Sequence, residues 1–169
     1  MRFLIIFIFL ISSSFANDIS GLKNIIIHKD PKIYEDLTFL DAKNKEIKLE
    51  DYKTNLIILN FWATWCAPCK KEMPSLDNLL TLKDLDNLKI FAINVGQDSV
   101  EKSLNFFEEL KIQELEIYFD SPNTLAKKFE LRGIPTTIVL NKSGKEFARI
   151  IGSIDFKDEN FIKWLSNYN

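Results

Sequence analysis

Apolar positions along this chain follow two rhythms. Leu56-Ile57-Ile58-Leu59-Asn60-Phe61 and Leu88-Lys89-Ile90-Phe91-Ala92-Ile93-Asn94-Val95 are nearly continuous apolar runs, the pattern of central strands covered on both faces. Between them, Cys66–Asp84 places Leu76, Leu79 and Leu80 at helical spacing. Pro74 falls inside this helix and predicts a kink, because proline lacks a backbone donor and crowds the preceding turn. Ser99 predicts a cap for a second helix carrying Val100, Leu104, Phe107 and Leu110 on one face. Leu115–Phe119 reads as a short strand, and Ser121-Pro122 as the opening of a helix through Phe129.

The two ends read differently. Leu37–Leu40 and Glu46–Leu49 alternate around the polar segment 41–45, a hairpin signal. Thr136–Leu140 and Lys145–Ile151 form a second hairpin across Asn141-Lys142-Ser143-Gly144, and Asp155 or Asp158 starts a last helix bearing Phe161, Ile162, Trp164 and Leu165. Residues 17–34 are a lead-in with at most one short strand near Ile25-Ile26-Ile27, and His28 in it is expected at the surface. The order hairpin, β, α, β, α, β, α, β, β, α predicts an α/β fold with a central mixed sheet flanked by helices. Residues 35–169 are the expected domain.

The 169 residues suffice for one such domain and not two. A net charge of −2 with no basic stripe argues against nucleic-acid binding. Met1-Arg2, the apolar run Phe3–Ile11 and the small, polar Ser12–Ala16 read as an export signal, with Ser14-x-Ala16 suited to cleavage before Asn17. The alternative is an uncleaved anchor through Phe15, although the run is shorter than the ~20 apolar residues of a spanning helix. Export places the protein in the periplasm or on the outer face of the inner membrane.

Only two cysteines occur, Cys66 and Cys69. A bridge across so short a loop constrains the unfolded chain little, so a structural staple is a weak explanation. A zinc site needs two further cysteines or two histidines, and His28 is the only histidine; haem attachment needs a histidine at Lys70. No separate cysteine remains for peroxide reduction. What fits is redox chemistry at a helix start, where unpaired N–H groups and the helix dipole stabilise a thiolate. Cys66 at the tip is expected to be exposed and to attack, and Cys69, one turn in, to resolve the mixed disulfide. Pro68 is tolerated because first-turn N–H groups lack partners anyway. The pair itself is the redox group, with no other cofactor and no metal expected.

Phe61-Trp62-Ala63-Thr64-Trp65-Cys66-Ala67-Pro68-Cys69-Lys70-Lys71-Glu72-Met73-Pro74, together with Gly133-Ile134-Pro135-Thr136, resembles the TlpA/ResA-like branch of the thioredoxin superfamily. The likeness covers about residues 35–167. It implies a thioredoxin-like fold with an inserted βα element between Val95 and Phe129. It also implies a cis Ile134–Pro135 bond against the cysteine pair, with the free backbone of Ile134 docking a substrate strand. Trp65 and Pro68 complete the expected substrate-binding set. Asn60 stands where thioredoxins commonly carry a buried proton-moving aspartate, and asparagine cannot titrate. Glu72, three residues after Cys69 on the same helix face, is either the acid–base partner of Cys69 or a solvated member of Lys70-Lys71-Glu72. Trp62 is expected to pack.

The resemblance implies a reductant of disulfides in cell-envelope clients, on apocytochrome c or copper-oxidase assembly routes, recycled by a membrane thiol donor. The alternatives are a general disulfide oxidant or isomerase, and a non-catalytic module binding Cu(I) or protein.

Overall fold

The computed structural model describes residues 24–169; the export segment expected over 1–16 lies outside them. Eight strands form one mixed sheet: β1 Ile25–Lys32, β2 Thr38–Asp41, β3 Glu46–Lys48, β4 Leu56–Trp62, β5 Leu88–Asn94, β6 Ile117–Phe119, β7 Thr136–Leu140 and β8 Glu146–Ile151. Their spatial order is β1-β8-β7-β4-β5-β6-β2-β3. Four helices cover it: α1 Ala67–Leu79, α2 Val100–Glu109, α3 Thr124–Lys128 and α4 Glu159–Ser166.

β4 is the centre of the molecule, parallel to β5 and antiparallel to β7. All seven of its residues are buried, as its unbroken apolar run requires. Leu56, Ile58 and Trp62 face a core built with α1, α2 and α4. Ile57, Leu59 and Phe61 face the opposite core, closed by Leu125 of α3, Phe129 and the β2–β3 hairpin. Trp62 does pack: its ring stacks on Phe106 with centroids 4.9 Å apart, a favourable offset arrangement.

The expected elements are present with four adjustments. α1 ends at Leu79 rather than Asp84, and a single 3-10 turn, Lys83–Leu85, follows. α2 buries Ser103, Phe106 and Phe107, while Leu104, placed on that face by sequence, is exposed. Ser121–Pro122 is a cis peptide that precedes α3, and Asn123 occupies the left-handed region before helix begins at Thr124. In the lead-in, eight residues form edge strand β1, paired antiparallel with β8. Pro31 is tolerated in this strand because an edge leaves one row of N–H groups unused.

β1 also corrects the expectation for His28. Its side chain is largely covered, with Nε2 2.8 Å from Glu146 Oε1. Arg149 donates to both oxygens of Glu146, at 2.7 and 3.0 Å, and the Tyr34 hydroxyl donates at 2.7 Å. The lead-in is thus sewn to β8 by backbone pairing and by a buried ionic cluster.

Candidate functional site

The central strand delivers the cysteines. After β4, Cys66 N–H donates to Ala63 carbonyl at 3.1 Å, and Lys70 N–H donates to Cys66 carbonyl at 3.0 Å. That turn leaves Cys66 as the N-cap of α1, with Pro68 inside the first turn where its missing N–H costs nothing. Cys66 and Cys69 are joined as a disulfide with Cα atoms 5.3 Å apart. Cys69 N–H also points at Cys66 Sγ, 3.2 Å away, the geometry by which a helix N-terminus stabilises a sulfur anion.

Cys66 is not exposed as expected: it is 4% accessible and Cys69 0%. Its sulfur is bonded to Cys69 and accepts from Cys69 N–H, within the first turn of α1. What projects instead is Trp65, 67% accessible, with Ala67 and Pro68 beside it in sequence. The Trp65 indole nitrogen lies against Gly96, so close that a β-carbon there would sit 3.0 Å from it.

Glu72 is no member of a solvated charge run. It is 2% accessible, accepting from Asn60 Nδ2 at 2.9 Å and from Ile154 N–H at 3.3 Å. Burial pushes its pKa up to about 7, and these two neutral donors recover only part of the cost. Asn60, fully buried, also donates to Thr137 Oγ1 at 2.9 Å. Asn60 therefore holds Glu72 rather than moving a proton itself.

Ile134–Pro135 is cis. Pro135 carbonyl accepts from Gly152 N–H at 2.9 Å and Thr136 Oγ1 donates to Gly133 carbonyl at 2.7 Å, which fixes the segment at the head of β7. Ile134 packs against the core cluster that contains both cysteines.

Two contributors were not foreseen. Ile154 acts through its backbone, which leaves no mark in side-chain pattern. Asp98 receives both Thr64 donors; the available signal was its place just past the end of buried strand β5, where ligand-handling residues of α/β sheets collect. Among the described residues, no group of three or more His, Cys, Asp or Glu stands together as a metal site. No helix among them is long and apolar enough to cross a membrane.

Residues 32–145 match the AhpC/TSA family. The chain belongs to that family. It is 33% identical to the thiol-disulfide oxidoreductase ResA of Geobacillus kaustophilus over 125 residues, 73% of this chain and 70% of that protein. Among solved structures, it superposes on StoA from Bacillus subtilis with a TM-score of 0.65 at 26% identity, covering 79% of this chain and 98% of that one. A DsbF homologue from Corynebacterium diphtheriae gives a TM-score of 0.71 at 25% identity, covering 87% and 94%. This AhpC/TSA member is a thiol–disulfide oxidoreductase of thioredoxin-like fold with one Cys-x-x-Cys pair.

Proposed function

We propose that this protein is exported by residues 1–16 and reduces disulfides of client proteins in the cell envelope, cytochrome c or cytochrome oxidase assembly factors among them. Cys66 thiolate attacks one client sulfur, and the electron pair of the broken bond leaves on the other. Cys69 gives its proton to Glu72 and displaces the client from Cys66. The client departs with two electrons more and the protein with the Cys66–Cys69 disulfide. A membrane thiol donor then supplies two electrons to reopen it. Trp65, Pro68, the backbone of Ile134 and cis Pro135 receive the client strand.

The observation that carries this reading is Glu72, buried on the cysteine helix three residues after Cys69, with its pKa pushed up to about 7 by burial. A carboxylate with a pKa of about 7 both takes and returns a proton at working pH.

Replacing Cys69 by Ser removes the resolving thiol, so the client should remain bound to Cys66 and be identified by mass. Recovery of envelope proteins with paired cysteines supports the reading; no trapped adduct in exported protein sinks it. A redox titration tests direction. A potential well below the glutathione poise is expected, and one near the strong oxidants would establish an oxidant or isomerase instead. Tight Cu(I) binding without disulfide-reductase activity would establish the binding module.

A further inference from the structure

The turn that presents Cys66 has a clamp outside the cysteine motif. Thr64 N–H donates to Asp98 Oδ2 at 2.9 Å, and Thr64 Oγ1 donates to Asp98 Oδ1 at 2.8 Å. Both donors of the residue two before Cys66 therefore end on one carboxylate. Asn94 Nδ2 holds Oδ2 at 2.9 Å and Lys102 Nζ holds Oδ1 at 2.6 Å, and the Asp98 side chain is 2% accessible. Gly96 N–H donates to Asn94 Oδ1 at 2.9 Å, fixing the short loop between β5 and α2. A β-carbon on Gly96 would come within 2.5 Å of Ala63 Cβ and 3.0 Å of the Trp65 indole nitrogen. Loop 94–98 thus lies flush against residues 63–65.

We infer that Asp98 is a positioning residue for thiol–disulfide exchange: it sets the path of Thr64-Trp65-Cys66 and so the placement of Cys66 Sγ and the Trp65 ring toward an incoming disulfide. It touches neither sulfur. Four hydrogen bonds on one largely covered carboxylate exceed what a loop needs merely to close, and half of them go to a single residue of the cysteine turn. Burial opposes its charge, but the bonds from Lys102, Thr64 and Asn94 prevail and hold its pKa down at about 2. The clamp is therefore ionised and closed at any pH where the thiols react.

This role rests on the reading of Cys66 as the attacking thiol. Asp98→Ala and Thr64→Val test it with dithiobis-nitrobenzoate as the probe disulfide and the reduced full-length protein. The second variant removes one donor without altering charge. In folded protein, the limiting rate at a pH where Cys66 is fully thiolate should fall about tenfold in Asp98→Ala and about threefold in Thr64→Val. The fast local component of tryptophan anisotropy decay should grow, because Trp65 is the exposed indole while Trp62 and Trp164 are buried. A merely structural Asp98 lowers melting temperature but leaves both readouts at wild-type values, and that result overturns the inference. If Asp98→Ala does not fold, Thr64→Val carries the same two outcomes. The probe is reduced whichever way the pair runs in the cell, so failure of the reductant reading leaves this test standing.

Discussion

Glu72 and Glu146 are both removed from water, at 2% and 0% accessibility, yet their titrations move in opposite directions. Glu72 meets only neutral donors, an amide and a backbone N–H, and burial drives its pKa up to about 7. Burial opposes ionisation of Glu146 too. There, hydrogen bonds from Arg149, His28 and Tyr34 and the guanidinium charge outweigh it and pull the pKa below the ordinary value. The cation makes the difference. One carboxyl, on the cysteine helix, is left able to exchange a proton near neutral pH; the other is committed to charge and links β8 to His28 of β1.

The comparison breaks most visibly at Glu146. Replacement by Ala leaves the largely covered Arg149 guanidinium without its carboxylate, bonded only to the Phe129 carbonyl and the Tyr34 hydroxyl, which should cost about 3 kcal/mol in denaturant unfolding at neutral pH. A loss below about 1 kcal/mol would show that the cluster is not what secures β1.

Glu72→Gln should do the reverse. Its folded pKa of about 7 lies above the ordinary 4.5, so the fold favours the protonated form. Stability from that preference is fully present below about pH 4.5 and is lost as pH rises through about 7. The variant should match wild type near pH 4 and exceed it by up to about 3 kcal/mol at pH 8. On the proposed mechanism its resolution step should also slow, because the Cys69 proton would have no carboxylate to go to. Stability curves that stay parallel from pH 4 to 8 would refute a raised Glu72 pKa.

The smallest effect is expected at Tyr34, whose own pKa is pushed up to about 12 by burial and by its bond to Glu146. Tyr34→Phe removes one of the donors to Glu146 and should cost about 1 kcal/mol, with faster amide exchange along β1 as the local signature. Unchanged exchange would leave His28 as the side-chain link between β1 and Glu146.

Local pattern carried much of this molecule into view. The apolar runs of β4 and β5, both hairpins and the Asp158-capped final helix each announce themselves within a few residues. So did the Cys66–Cys69 pair and, through resemblance, the cis bond before Pro135. What stayed hidden depends on distant partners. His28 meets Glu146 across 118 positions and Glu72 meets Ile154 across 82, and no window of periodicity spans either. Helical spacing puts Leu104 on the core face of α2, yet Leu104 is exposed, while Ser103, a polar residue, is buried with its hydroxyl 3.5 Å from Asn94 Nδ2; hydrophobicity alone does not find it. A helix tip is normally wet, which places Cys66 in water by pattern alone, yet joined to Cys69 it is 4% accessible.

The loop between β8 and α4 gives one more consequence, in the order of assembly. Ile154 N–H bonds Glu72, and Phe156 N–H bonds Ser75 Oγ at 3.1 Å, so the cysteine helix is pinned by residues 82 and 81 positions further along the chain. A ribosome makes Cys66 and Cys69 long before it makes that pin. A chain still emerging therefore carries both cysteines before residues 154–156 can hold the Glu72 carboxyl and the Ser75 hydroxyl, so the cysteine helix gains these two outside bonds only after that loop has docked.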